Sequence, residues 1–211
     1  MKTKLLLAAL LAAAGTLPAA AVAAGFDGWD TAGDAVVAGE TLTLSTAYLD
    51  GAGDEPYNLS GTPAADIATL EAFAGIAAYA FDLGAEPATE GSLARRSFGV
   101  AAGDTLRFEW RFDTVEDLFL DHAFAVVGGE VMTLATRGTP AGWHDFAYTF
   151  ADAGSFEIGL GVVDTVDVNG VSTFAVRALE VSPVPEPAPW ALLAAGLLGV
   201  LPLLRGRRPG A

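Results

Sequence analysis

The residues best suited to chemistry in this sequence are the carboxylates of one short segment, residues 113–121. Asp113, Glu116, Asp117 and Asp121 place four acids within nine residues. Calcium prefers hard oxygen ligands of this kind, and like charges at such density repel one another without a cation. The segment is therefore a candidate calcium site with these four ligands, and calcium is the one cofactor that the sequence suggests. A solvated acidic loop is the simpler interpretation, and the sequence leaves both open.

A second acidic segment, residues 164–170, does not match a calcium-binding motif. In an EF-hand alignment the first ligand position falls on Thr165 and the twelfth on Val176, neither of which is a carboxylate. The EF-hand interpretation is therefore excluded for this segment.

Both histidines have an acidic neighbour, since His122 follows Asp121 and His144 precedes Asp145. A carboxylate can orient an imidazole for acid–base or metal chemistry. Adjacent residues of a strand point to opposite faces, however. We therefore favour two partly exposed histidines without a catalytic role.

No catalytic residue can be assigned from the pattern. The Gly-x-Ser-x-Gly turn of a serine hydrolase does not occur. Paired carboxylates could hydrolyse glycosides, but so acidic a chain supplies such pairs by chance. The sequence favours a non-enzymatic protein, with an exported polysaccharide-acting hydrolase as the alternative.

Exposed aromatic side chains could contact a glycan, because a ring offers a flat apolar face. Trp29 and Tyr57 lie in Gly- and Asp-rich surroundings and are the preferred surface candidates. Trp110, Trp143 and Tyr148 are expected in the core.

Composition excludes several further classes. The 211 residues include 26 Asp and Glu against 11 Lys and Arg, a net charge of −15. Five of the basic residues lie near the ends, and residues 25–182 hold 25 acids, six arginines and no lysine, a net charge of −19. Such a domain repels phosphate, so a nucleic-acid partner is excluded. The absence of cysteine excludes disulfides, thiolate zinc sites and iron–sulfur clusters.

Residues 1–24 have the pattern of a secretory signal peptide. Lys2 and Lys4 form a short positive region, an apolar stretch follows, and Ala21 and Ala23 offer an A-x-A cleavage site. A membrane-spanning helix is the alternative, but the apolar run is short for a span. The sequence therefore predicts export, with signal peptidase as a processing partner.

Residues 183–211 combine a polar triplet, an uncharged apolar stretch over 188–204 and a terminal basic stop. The triplet is Pro185, Glu186 and Pro187, and the stop is Arg205, Arg207 and Arg208. The apolar stretch predicts a short transmembrane helix, and the basic stop is expected on the cytoplasmic side.

This arrangement resembles the PEP-CTERM sorting signal of exported proteins in Gram-negative bacteria that make extracellular polysaccharide. The resemblance implies transient inner-membrane insertion and processing at the triplet by an exosortase. It further implies delivery to the cell surface or the extracellular matrix of a biofilm, with exopolysaccharide as a candidate partner. A plain membrane anchor on a periplasmic binding module is the alternative.

The middle of the chain, residues 25–182, is predicted to be an antiparallel β-sandwich. The clearest strand is Thr105–Phe112, in which apolar and polar residues alternate. Similar strands are predicted over 42–48, 95–100, 123–127, 131–136, 146–150, 155–162 and 173–181, with Gly- and Asp-rich turns between them. One short helix is predicted after an N-cap at Thr62, ending before Gly75 and covering an open end of the sandwich.

Several stretches of this region resemble a recurring ectodomain of PEP-CTERM proteins, which implies a jelly-roll sandwich like those of carbohydrate-binding modules. The stretches are Glu90-Gly91-Ser92, residues 102–110, residues 142–150 and residues 159–164. The three expected parts are therefore a signal peptide (1–24), a β-sandwich ectodomain (25–182) and a sorting signal (183–211). The expected role is adhesion, matrix structure or glycan contact.

Overall fold

The computed structural model describes residues 22–23, 25–49, 54–115 and 117–184. The described residues up to 183 belong to one compact unit. Strands take 53% of the described residues and helices 6%, so the predicted all-β class is confirmed.

The unit consists of two antiparallel sheets, with strands numbered in chain order. Sheet A contains β1 (Val22–Ala23), β3 (Asp34–Ala38), β4 (Thr41–Ser45), β7 (Thr105–Thr114), β10 (His144–Thr149) and β12 (Ser172–Ser182). Sheet B contains β2 (Asp30–Ala32), β5 (Ala65–Asp66), β6 (Ala88–Val100), β8 (His122–Val127), β9 (Glu130–Thr136) and β11 (Gly154–Thr165). A single turn of 3-10 helix covers Glu55–Tyr57.

The strand order is that of a jelly roll. Sheet A runs β10-β7-β12-β4-β3, and sheet B runs β2-β6-β11-β8-β9. From β6 onward, consecutive strands alternate between the sheets, except for the β8–β9 hairpin within sheet B. This alternation pairs the long central strands with partners that are distant in sequence, as in the double-sheet folds built from Greek keys.

The main core lies between the sheets and follows from the alternation in the strands. In β7, Leu106, Phe108, Trp110 and Phe112 are all buried, while the intervening polar residues face outward. These side chains and their counterparts from sheet B form one apolar cluster. Burial of this cluster is the main contribution that the strands make to stability.

The one α-helix of the described residues, α1 (Ile67–Ala74), differs from the prediction at its start. Its N-cap is Asp66, not Thr62, because residues 65–66 are extended and pair with β6. The Asp66 carboxylate accepts hydrogen bonds from the backbone N–H and the hydroxyl of Thr69, at 3.0 and 2.7 Å. Gly75 ends the helix as expected, with a left-handed φ of 66° that glycine adopts without strain.

Helix α1 also lies on a different part of the molecule than expected. Its buried residues Leu70 and Ala74 pack with Leu93, Phe124 and Val163, which are on the outer face of sheet B. The helix therefore covers a sheet face rather than an open end of the sandwich, and it builds a second, smaller core there.

Candidate functional site

The structure separates the described members of the predicted calcium loop. Asp113 faces the solvent side of sheet A, where its carboxylate pairs with Arg111 at 2.8 Å. Asp117 is exposed, Asp121 is only 1% exposed, and Glu116 lies outside the described residues. Within the described ranges, no three Asp, Glu, His or Cys side chains are placed to hold a metal ion.

Asp121 instead enters the interior at one end of the sandwich. Its carboxylate accepts a hydrogen bond from the backbone N–H of Thr165 at 3.0 Å. Its other oxygen accepts one from the hydroxyl of Ser172 at 2.8 Å. The Ser172 hydroxyl lies 2.7 Å from that of Thr114, so residues from both sheets meet around Asp121.

Asp164 is the second acid at this position, and sequence reasoning missed it. It is 1% exposed, and neither of its carboxyl oxygens accepts a hydrogen bond from a backbone N–H group of the described residues. Burial is the main cause that raises the pKa of Asp164 to about 10, followed by the charge of Asp121 and a hydrogen bond between the two side chains. The charge of Glu90 also raises this pKa, whereas a hydrogen bond from the Thr46 hydroxyl lowers it. A hydrogen bond between the two carboxyl groups therefore requires a proton on Asp164.

The period of β11 is the signal that could have identified Asp164. Ile158, Leu160 and Val162 face the main core at every second position. Continuing the same period by one step places Asp164 on the core side of the sheet, although the acidic segment that it begins looks solvated in the sequence.

A third buried acid, Asp34, shows what a structural carboxylate looks like in this protein. It accepts hydrogen bonds from the backbone N–H groups of Leu59 and Ser60, at 2.8 and 2.7 Å, and from the Ser60 hydroxyl at 2.7 Å. The hydroxyl of Ser45 donates a further hydrogen bond. Asp34 thus anchors the segment around residue 60 to sheet A, and its hydrogen-bonding capacity is used by the protein itself.

The histidines are not placed for catalysis with their neighbouring acids. His122 is buried, contrary to the expected partial exposure, and burial lowers the pKa of its imidazole. Its ring packs against Phe124 on the outer side of sheet B, whereas Asp121 lies between the sheets. His144 stacks on Trp110 at 4.5 Å between ring centroids, and its Nε2 lies 2.8 Å from the carbonyl oxygen of Pro140.

The outer face of sheet A carries a second group of functional side chains. Strands β10, β7 and β12 place Asp145, Glu109 and Arg177 in one row across this face, because these residues are register partners. The Arg177 Nε donates to the Glu109 carboxylate at 2.6 Å. Half of the six arginines of residues 25–182 lie on this face, where they alternate with carboxylates; they are Arg107, Arg111 and Arg177.

An open depression of about 500 Å³ lies on the same face. Its polar lining consists of Arg107, Glu109, Asp145 and Glu180. The backbone of β12 is irregular beside it, with a register shift between Arg177 and Glu180 and a left-handed φ of 53° at Ala178. The depression therefore offers guanidinium and carboxylate groups side by side on the surface of sheet A.

Trp143 stands next to this face, and its position reverses one sequence prediction. The sequence predicts it in the core, but it is 36% exposed, and the Arg177 guanidinium lies 3.9 Å from its ring centroid. Trp29, expected at the surface, is buried and packs against Phe26 and Phe98 at 5.4 and 5.9 Å. Tyr57 is exposed as expected.

The predicted processing residues lie almost entirely outside the described residues. These are Ala21 of the signal cleavage site, the triplet Pro185, Glu186 and Pro187, and the basic stop Arg205, Arg207 and Arg208. Ala23 is described and pairs with Glu180 as part of β1. No helix within the described ranges has the length and apolarity that a membrane crossing requires.

Comparison of the chain with protein-family models and with curated proteins found no match.

Proposed function

We propose that this chain is an exported, non-enzymatic protein of the cell surface or extracellular matrix, and that it contacts polysaccharide through the outer face of sheet A. The observation that carries the glycan contact is the pairing of an exposed Trp143 with the polar depression beside it. Sugars present flat apolar C–H faces together with hydroxyl groups. An indole and a row of fixed Arg, Glu and Asp side chains match both features.

The contacts among the side chains of this face support a binding role. Glu109 holds Arg177, and Arg177 in turn packs on the ring of Trp143. Side chains that are ordered before the ligand arrives lose less conformational entropy on binding. The face would therefore bind a ligand without first having to reorganise.

The binding test compares three proteins on a glycan array and on purified neutral and acidic bacterial exopolysaccharides. Trp143→Ala should weaken binding by about tenfold or more relative to the wild-type protein, because the apolar platform is removed. Tyr57→Ala is the matched control, since it removes an exposed aromatic from a different part of the surface. Loss of binding in Tyr57→Ala, with Trp143→Ala unaffected, would disprove the assignment to sheet A.

Hydrolysis of polysaccharide is the second candidate, because Glu109, Asp145 and Glu180 line one depression. Glycosidases use two carboxyl groups about 5–10 Å apart, one on each side of the scissile bond. Release of reducing ends by the wild-type protein, abolished in Glu109→Gln or Asp145→Asn, would replace the binding proposal with the enzymatic one. Binding without turnover would support the former.

The processing part of the proposal is tested separately in a Gram-negative host that has an exosortase. Deletion of residues 188–211 should abolish sorting to the cell surface, because the membrane segment and basic stop are lost. Replacing Pro185, Glu186 and Pro187 by alanine should leave the chain membrane-inserted and uncleaved. Unchanged localisation of both variants would count against a PEP-CTERM signal.

A further inference from the structure

Asp121 and Asp164 form what we call the buried carboxylate pair, at one end of the sandwich and between its sheets. Asp121 immediately precedes β8, and Asp164 is the penultimate residue of β11, so the two approach from neighbouring strands of sheet B. Each is 1% exposed. The facing surface is supplied by Ser172, at the start of β12, and by Thr46, which follows β4.

Among the residues that the structure describes, no positive charge acts on Asp164. The groups that act on its carboxyl are Asp121, Glu90 and the Thr46 hydroxyl, none of which is a cation. The adjacent His122 faces the opposite side of sheet B. A buried carboxylate with no cation and a single hydroxyl donor is strongly disfavoured, so this position requires either a proton or a bound ion.

The contrast with Asp34 shows that this feature is not a general property of buried acids here. Four donor groups of the chain point at the Asp34 carboxylate. At Asp164, within the part of the chain that the structure describes, no backbone N–H points at the carboxyl, and the Thr46 hydroxyl is the one donor that acts on it. The difference leaves the Asp164 carboxyl with few donors of its own, so a proton shared with Asp121 or a bound ion must complete its surroundings.

We propose that the buried carboxylate pair binds one calcium ion, with Asp121 and Asp164 as its charged ligands and the Thr46 and Ser172 hydroxyls as neutral oxygens beside it. Two carboxylates neutralise the charge of one divalent cation. Calcium accepts irregular sets of oxygen ligands, whereas magnesium requires near-ideal octahedral geometry and retains water. The dry, irregular surroundings of the pair therefore favour calcium.

This site would connect parts of the chain that are far apart in sequence. Asp121 ends the first acidic segment and Asp164 begins the second, while Ser172 and Thr46 adjoin strands of the opposite sheet. A bound ion would thus stabilise the end of the sandwich at which the loops after β4, β7 and β11 meet. In an exported protein, which is the location proposed above, it would act in place of the disulfides that the chain lacks.

The test measures the melting temperature of the full-length chain in dodecyl maltoside, after removal of divalent ions. Addition of about 5 mM calcium should raise Tm by about 5 °C or more, whereas the same concentration of magnesium should have little effect. Native mass spectrometry of the wild-type protein should detect one calcium ion per chain, bound with displacement of protons. This second measurement does not depend on whether any variant folds.

Four variants locate the ion. Asp164→Asn and Asp121→Asn should remove the calcium-dependent rise in Tm, because each removes one charged ligand while keeping the side-chain shape. Asp113→Asn and Asp117→Asn are the matched controls from the exposed loop, and both should retain the rise. Loss of the rise in these two, with Asp164→Asn unaffected, would move the ion to the loop and overturn the proposal.

Absence of calcium from the wild-type protein, by both Tm and mass, would also overturn it. In that case a shared proton between the two carboxyl groups would account for the pair, and Asp164→Asn should then raise Tm whether or not calcium is present.

Discussion

The close approach of β6 and β11 at Gly91 gives the sharpest stability prediction. A Cβ added at Gly91 would overlap the carbonyl oxygen of Val162 and lie 2.8 Å from the Cα of Val163. Both are backbone atoms of β11, so no side-chain rotation can relieve the clash. Gly99 lies on the same strand, but a Cβ there would meet nothing within 4 Å. The two glycines therefore allow a matched comparison within β6.

The size of the effect follows from the separation that the strands would need. Ordinary Cβ contacts begin at 3.4 Å, so Gly91→Ala must move β6 and β11 apart by about 1 Å locally. A backbone hydrogen bond of about 2.9 Å does not survive such a displacement. Two such bonds lost, each with a buried group left unpaired at about 1–3 kcal/mol, predict a destabilisation of about 2–6 kcal/mol.

Gly99→Ala should have the opposite sign. Alanine in an open strand position avoids the entropic cost of glycine and should stabilise the protein by about 0.5–1 kcal/mol. Urea denaturation of the compact unit, residues 21–183, followed by tryptophan fluorescence, measures both free energies of unfolding. Equal midpoints for the two variants would show that β6 and β11 do not approach at Gly91 as described.

Two further predictions concern the buried acids. In calcium-depleted buffer, between about pH 5 and pH 9, the folded protein should hold one more proton than the unfolded chain, because the pKa of Asp164 is about 10 in the folded protein and 3.8 for an ordinary exposed aspartate. The contribution of Asp164 to the free energy of unfolding is then complete below about pH 4 and declines by up to about 1.4 kcal/mol per pH unit as the pH rises. Urea titrations at about pH 5, 7 and 9 should show that the free energy of unfolding declines less steeply with pH in Asp164→Asn than in the wild-type protein. An equally steep decline in that variant would refute the assignment. Asp34→Asn should destabilise the protein by about 2–4 kcal/mol and expose the segment near Ser60 to limited proteolysis, since an amide cannot accept all four hydrogen bonds. Wild-type protease resistance near Ser60 in this variant would contradict the anchoring role.

Much of the fold could be predicted from the sequence because its long strands alternate. Thr105–Phe112 is the clearest case, and β7 begins at the same residue and buries the same side chains. Strands β2 and β3 could not be predicted in this way, since three to five residues without alternation carry no periodic signal. They are held by pairing with β6 and β4, which no local pattern reveals.

The order of the strands could not be derived from local patterns either. Strand β12 pairs with β4 and with β7, although β4 ends at Ser45 and β12 begins only at Ser172. The predicted start of α1 is wrong for a related reason. Thr62 and Pro63 resemble a helix start, but pairing of residues 65–66 with β6 keeps the backbone extended up to Asp66.

Both candidate sites, the buried carboxylate pair and the outer face of sheet A, are marked by a residue that interrupts the alternation of apolar and polar side chains along a strand. In β11, Asp164 lies on the core-facing side of the strand, together with Ile158, Leu160 and Val162. A carboxylate on that side requires a partner. Trp143, which immediately precedes β10, lies on the same outward face as Asp145. A large aromatic side chain on that face lacks the burial that normally stabilises it. Each exception lies just beyond the end of the predicted strand, where the period was not extended. Continuing the alternation of each strand past its predicted end assigns Asp164 to the interior and Trp143 to the surface, which corrects the core prediction for Trp143.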